Sequence, residues 1–289
     1  GCCRGGGGCR WGCPGPRGRR VAIKRFRRAR SPEYAVELRA LQRAGAHPHI
    51  LRLLESHEGL DGDVLVLEYC NGSTLYDLYV REHARGGLPE RLAVRLVQQL
   101  LLALEHLSTC GVEHQDVKPE NMLLYDVAVR SAQGELKLGD FGWSVMGELR
   151  WPPATAVGSL WYAPPELNPW VDGITRDYGI PTDADGDPIR GRSDMWSAGV
   201  VLYLLLVGTS PFCTALEQPS QASVEAEVLR LAALGRFDLG SAGWQRLPRE
   251  ARDLISALLR VDPCKRLSAT EALHHPFLQR LPRAAARPR

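Results

Sequence analysis

His114-Gln115-Asp116-Val117-Lys118-Pro119-Glu120-Asn121, followed by Asp140-Phe141-Gly142, is the stretch that decides how this chain folds. The first block puts a carboxylate, an ammonium and a carboxamide within six residues, and a second carboxylate stands 24 positions after the first on a Phe-Gly turn. Just upstream, Leu88 to Leu107 carries Leu92, Leu96, Val97, Leu100, Leu101, Leu104 and Leu107, a spacing that predicts a long helix with a wide apolar stripe, closed by Gly111. Downstream, Met122-Leu123-Leu124 and Gly134-Glu135-Leu136-Lys137-Leu138 predict the strands of a hairpin that ends at Asp140. Towards the N-terminus, Val21 to Lys24 and Asp63 to Tyr69 read as strands. Between them Pro32 to Gln42 reads as a helix capped by Ser31, with Pro32 at its first position.

At 289 residues the chain is long enough for one large domain or two lobes with a substantial core. With 44% hydrophobic and 24% charged residues it has the composition of a soluble globular protein. A formal net charge of +3 is near neutral and gives no electrostatic argument for a nucleic-acid partner. The longest apolar run, Ala198 to Gly208, has 11 residues, too few to span a membrane, and reads as a helix buried in the core. Cys2, Cys3, Cys9 and Cys13 crowd the start without paired C-x-x-C spacing or a histidine partner, so a reduced, metal-free set in an intracellular protein is expected.

The two opening blocks closely resemble the catalytic loop and metal-binding turn of eukaryotic protein kinases, with Gln115 in place of the usual arginine. Val21-Ala22-Ile23-Lys24 is similar to the strand carrying that family's ATP-anchoring lysine, and its place 92 residues before Asp116 makes the match specific. Trp143-Ser144-Val145, Pro164-Pro165-Glu166 and Ala251-Arg252-Asp253-Leu254-Ile255-Ser256 resemble the Aurora group of serine/threonine kinases. The likeness runs from about Val21 to Leu278.

It implies an α+β, two-lobed fold: a small antiparallel-sheet lobe over residues 21–69, with its first hairpin missing or degenerate, and a larger, mainly helical lobe over residues 70–280. Residues 1–20, rich in Gly, Cys and Arg, are expected to be irregular. Gly5 to Gly8 stand where a phosphate-covering loop would lie without its G-x-G-x-x-G-x-V pattern. Residues 168–191 are a polar insertion, and residues 281–289 a frayed tail. Asp183-Ala184-Asp185-Gly186-Asp187-Pro188 has a calcium-loop flavour, but Gly186 stands at the fourth position where such a loop needs glycine at the sixth, so a solvated loop is expected.

The resemblance also implies roles. ATP and Mg²⁺ are the cofactors, since phosphoryl transfer asks a protein mainly for positioning and charge neutralisation. Lys24 neutralises the α- and β-phosphates and is held by Glu37, with Glu33 the competing candidate. Asn121 and Asp140 ligate Mg²⁺. Asp116 accepts the proton of the acceptor hydroxyl, and Lys118 steadies the γ-phosphate. Leu67 guards the back of the nucleotide pocket, the backbones of Glu68 and Cys70 bond the adenine, and Leu123 forms its floor. Glu120, in the same block, is expected among the cofactor-binding residues, and it also stands at a position basic-directed relatives use around the peptide groove. Asp194 is expected to brace the catalytic loop and Arg266 to pair with Glu166, both structurally.

Lys118 with Pro119-Glu120-Asn121, and Ser159 before Pro164, resemble serine/threonine-directed members, so a protein Ser or Thr hydroxyl is the expected acceptor. Thr155 matches the activation-loop threonine, and Gln115 supplies no charge to grip a phosphate there. Leu204 replaces a glutamate of the peptide groove, which predicts a relaxed demand for upstream arginine. By analogy an activator protein on the small lobe is expected. A monomeric catalytic domain in the cytoplasm or nucleus, with no nucleic acid and no membrane, completes the reading. The alternative is a pseudokinase, a folded nucleotide-binding or scaffolding module, for which the missing glycine loop and Gln115 speak.

Overall fold

The computed structural model describes residues 8–14, 20–29, 31–84, 87–128, 133–147, 159–167 and 190–280. Its smaller part is a four-stranded antiparallel sheet in the order β1-β2-β4-β3, built from Gly8–Pro14 (β1), Arg20–Arg25 (β2), Leu53–His57 (β3) and Val64–Glu68 (β4). One helix, α1 (Pro32–Ala44), is attached to it. Ser31 caps α1 by accepting from the Tyr34 amide, Pro32 opens it, and Gly45 ends it at φ 63°, where a side chain would be strained. Tyr34, Val36, Ala40 and Leu41 give α1 its apolar face; Glu37 is buried on it too, at 1% exposure.

The strand β1 corrects the expectation that residues 1–20 are irregular. It has no run of β-branched residues, yet it pairs with β2 from Gly8↔Arg25 to Pro14↔Arg20, with a register shift between Trp11 and Cys13. β2 would otherwise leave an open edge, and the pairing partner rather than local propensity makes the strand. It supplies one strand of the hairpin that was expected to be missing or degenerate. Gly5 to Gly7, Cys2, Cys3, Thr155, most of the 168–191 insertion and the tail fall outside the described residues.

The larger part is mainly helical: α2 (Leu75–His83), α3 (Glu90–Thr109), α4 (Arg192–Val207), α5 (Gln221–Ala233), α6 (Ala242–Arg246), α7 (Arg249–Leu258), α8 (Ala269–Leu273) and α9 (Pro276–Gln279). A two-stranded sheet, β5 (Met122–Ala128) with β6 (Gln133–Leu138), lies against α3. Gln99 of α3 ties that sheet down: its amide donates to Gly134 O at 3.0 Å and its carbonyl accepts from Leu136 N at 2.7 Å. The apolar run after Ala198 is the middle of α4, buried from Ser193 to Leu205. Gly199 lets α7 close onto it, since a Cβ there would stand 2.8 Å from the Leu258 Cβ.

Arg266 is buried and meets Glu166 in a two-pronged pair, Nη1–Oε1 2.6 Å and Nη2–Oε2 2.8 Å, with its guanidinium over the Trp196 ring. Truncating one partner of such a buried pair typically costs about 3–5 kcal/mol, because the other charge is left unpaired. This pair, as the sequence implied, serves the fold and fixes the segment from Ser159 to Leu167 on the large lobe.

Candidate active site

The lysine of β2 and the glutamate of α1 meet. Lys24 Nζ lies 2.6 Å from Glu37 Oε2 and 2.8 Å from Asp140 Oδ1, so one ammonium joins sheet, helix and the turn after β6. Glu33 is exposed in the first turn of α1 and takes no part. Burial pushes the Glu37 carboxyl up to about 7, against the pull of Lys24. Burial works to lower Lys24, but the carboxylates of Glu37 and Asp140 outweigh it and hold the ammonium above the ordinary lysine range. Against the push of burial, Lys24 in turn keeps Asp140 below the ordinary carboxylate range.

The catalytic-loop block closes on itself. Lys118 Nζ donates to Asp116 Oδ2 at 2.7 Å and to Ser159 Oγ at 2.7 Å. Asn121 Nδ2 donates to Asp116 O at 2.8 Å and to Asp116 Oδ2 at 2.9 Å, which leaves its amide oxygen as the atom free to ligate a cation. Gly139 N donates to Asn121 O at 2.9 Å, and the His114 ring contacts both Gly139 O, at 3.0 Å, and the face of Phe141. These links carry Asp140 to the catalytic loop, close enough that Lys118 helps hold its carboxyl down. Asp116, Asn121 and Asp140 therefore converge.

The brace is Asp194 in the first turn of α4, which accepts from the backbone amides of His114 and Gln115, both at 2.8 Å. Burial first, then the nearby Glu113 carboxylate, pushes the Asp194 carboxyl up to about 7, while the two amides work to lower it.

The residues assigned to the adenine end form a second group. Leu67 is buried and pairs with Ala22, two residues before Lys24. The Glu68 side chain accepts from Arg52 N at 2.8 Å and pairs with the buried Lys137 at 2.9 Å, and its backbone amide donates to Arg52 O at 2.9 Å. Cys70 is buried. The connection after it runs along β5, with Gly72 N donating to Leu124 O at 3.0 Å and Thr74 bridging Leu123, which is half-buried. Glu120 is exposed and lies near the Tyr162 hydroxyl, outside the charged cluster.

Sequence reasoning passed over three contacts. Ser159, singled out only as a mark of serine/threonine direction, accepts from Lys118 and has its amide 3.4 Å from Asp116 Oδ1. Lys137 and Glu68 join β6 to the end of β4. Glu113, in an otherwise apolar approach to the catalytic block, is buried and accepts from Gln115 Nε2 at 2.7 Å. A charged residue beside Val112 in a short buried segment was the signal available for the last.

Fold and site define a protein with the phosphotransferase architecture of a kinase domain. The family profile described as "Protein kinase domain" matches residues 4–278, a span that begins ahead of Val21 and takes in β1. A calcium and calcium/calmodulin-dependent serine/threonine-protein kinase of Pisum sativum is 33% identical over 247 residues, 86% of this chain and 41% of the relative. Calcium-dependent protein kinase 24 of Oryza sativa subsp. japonica is 33% identical over 242 residues, 84% of this chain and 41% of the relative. Calcium-dependent protein kinase 12 of the same plant is 33% identical over 256 residues, 89% of this chain and 42% of the relative. The chain belongs to the protein kinase family. It spans about two-fifths of the length of these curated relatives (41% and 42%).

Proposed function

We propose that this chain transfers the γ-phosphate of Mg-ATP to serine and threonine hydroxyls of proteins. The observation that carries the reading is the shared cluster of Asp116, Asn121, Asp140, Lys24 and Lys118 across the two lobes. The acceptor oxygen attacks the γ-phosphorus, the bond to the departing ADP oxygen breaks, and Asp116 takes the hydroxyl proton. Lys118, already 2.7 Å from Asp116, offsets charge on the moving phosphoryl group, and Lys24 offsets that on the remaining phosphates. Among the described residues no group of three or more His, Cys, Asp or Glu side chains can hold a metal. Mg²⁺ takes few protein oxygens and keeps its other positions for phosphate and water. Asp140 and the amide oxygen of Asn121 would hold it, and it would supply positive charge to offset that of the phosphates.

The serine/threonine direction draws support from Lys118 and Ser159, which meet Asp116 as a unit, and from the relatives' names. An Aurora-type assignment rests on the motifs at Trp143, Pro164 and Ala251 alone; the relatives found are calcium-dependent kinases, whose calcium dependence is their own. Leu204 is buried in α4 where an acidic peptide contact was sought, which supports a relaxed need for upstream arginine. An arrayed peptide library is expected to show arginine-free peptides phosphorylated within about tenfold of the best arginine-containing ones, each good ion pair being worth about that factor. A strict arginine requirement contradicts this.

An activator on the small lobe, a monomeric state and an intracellular site complete the proposal; no helix among the described residues is long and apolar enough to cross a membrane. The pseudokinase alternative is opposed by the intact, mutually bonded cluster. Incubation with labelled ATP, Mg²⁺ and a generic basic protein, followed by phosphoamino-acid analysis, separates the two: phosphoserine and phosphothreonine are expected, and no incorporation contradicts the assignment.

A further inference from the structure

Glu113 takes no part in the chemistry above, yet it is buried at 3% exposure, three residues before Asp116 and near the Asp194 carboxylate of α4. Burial raises its carboxyl above the ordinary range, and the Gly191 backbone amide, Gln115 and Arg190 only partly offset this, with the carboxylate of Glu166 adding to the load. An apolar residue in its place would spare the fold that cost. Its contacts show what it does instead.

Gln115 is a non-glycine residue at φ 66°, and that left-handed turn is what aims two successive amides, His114 and Gln115, at the two oxygens of Asp194. Asp194 holds the turn by its backbone alone. The side chain is held by Glu113, whose Oε2 accepts from Gln115 Nε2 at 2.7 Å. Glu113 is also bound through its own backbone to Val145, in both directions, at 3.0 and 2.9 Å. Val145 lies five residues after Asp140 in the sequence, so one residue clamps the turn leading to Asp116 and the segment leaving the metal-binding turn.

We propose that Glu113 is a positioning residue for catalysis: it fixes the Gln115 turn from within the protein and couples it to the segment after Asp140. A hydrogen-bond donor that an arginine would have offered outward is here directed inward, to a carboxylate of the same loop. The positioning of Asp116 is thereby built in and needs no added phosphate on the activation segment. This rests on the kinase reading of Asp116.

The test uses the full chain and the variants Glu113→Ala, Glu113→Gln, Gln115→Ala and the Glu113→Ala/Gln115→Ala double, each assayed with Mg-ATP and a generic basic protein. Backbone hydrogen exchange is followed at His114 and Gln115. Glu113→Ala and Gln115→Ala are each expected to lower kcat by roughly 10- to 100-fold, the scale of a small misplacement of a catalytic group. KM for ATP stays within about twofold, because Lys24 and Glu37 are untouched. Exchange at His114 and Gln115 quickens. The double variant is no worse than either single one, and Glu113→Gln, which keeps an accepting oxygen, returns most of the activity. The proposal is overturned if Glu113→Ala leaves kcat and exchange unchanged. It is equally overturned if the two single losses multiply in the double variant, or if Glu113→Gln is as damaging as Glu113→Ala. Should the wild-type chain transfer no phosphate, the kinase reading fails on its own, and the exchange rates alone decide whether the clamp exists.

Discussion

Among the described residues two turns put a non-glycine residue into left-handed backbone, Gln115 at φ 66° and Asp140 at φ 62°, and they are held by opposite means. The Asp140 turn is held by a cation: Lys24 bonds its carboxylate directly and is itself pinned by Glu37. The Gln115 turn is held by acids: Asp194 takes its backbone and Glu113 its side chain. Left-handed backbone is costly for residues with a Cβ, about 1–2 kcal/mol, so each turn persists because its surroundings over-determine it. The difference teaches where each station is sensitive. The Asp140 station responds to nucleotide and proton, since its partners are charges that ligand and pH can change. The Gln115 station is buried and has no such cation; burial pushes its Asp194 carboxyl up to about 7, so it shares only the response to the proton.

Substitutions that break one station and spare the other sharpen this contrast. Asp140→Ala has the largest expected effect: it removes the proposed metal ligand and one partner of Lys24 while leaving the Gln115 turn intact. Transfer should fall about 10³-fold or more, in line with losing a principal electrostatic group, whereas thermal stability changes little. A large fall in stability would show that the turn serves the fold more than the chemistry.

Asp194→Ala attacks the other station. The His114 and Gln115 amides lose their buried acceptor, and the cost should be about 2–6 kcal/mol in denaturant unfolding, one to three for each stranded donor. Activity falls with it. A stability change under about 0.5 kcal/mol, the scale of an inconsequential surface change, contradicts the brace.

Glu37→Gln probes the proton response. In the folded chain Glu37 titrates near 7 rather than at its ordinary 4.5, so between those values the folded state binds a proton that the unfolded chain releases. The sign follows: the wild type gains stability relative to Glu37→Gln as pH falls from 7 to 5. Over the same window its transfer rate falls, because a neutral Glu37 no longer holds Lys24 by charge. Melting-temperature differences and rates measured across that range check both slopes, and a flat difference contradicts the assignment.

The smallest effect is expected from Thr155→Ala. Gln115 gives its amide to Glu113 and brings no charge to a phosphate, so activity should stay within about threefold of wild type. Near-complete loss would show that the Gln115 station is not self-sufficient.

Much of this site was legible in the sequence because its elements are local. The spacing of Asp116, Lys118 and Asn121 kept them within one loop, whereas Glu33 and Glu37, four residues apart, share a helix face by periodicity, and the family resemblance to the partner of Lys24 is what favoured Glu37. The long apolar stripe predicted α3, and Ser31 with Pro32 predicted the start of α1 within a residue. What was not legible depends on distant partners. β1 has glycines, cysteines and arginines where strands favour branched residues, and it exists because β2 offers it an edge. The inward use of Gln115 depends on a carboxylate two residues earlier whose burial is set by packing around α4, beyond any local pattern.

The most direct measurement is single-turnover transfer of labelled γ-phosphate from Mg-ATP to a basic protein, with wild type and Asp116→Asn compared at saturating nucleotide. The account expects rapid incorporation by the wild type and a rate about 10²- to 10⁴-fold lower for the variant, the span of a lost general base, with nucleotide binding unchanged. Equal rates in the two proteins, or nucleotide binding without incorporation in both, would contradict it.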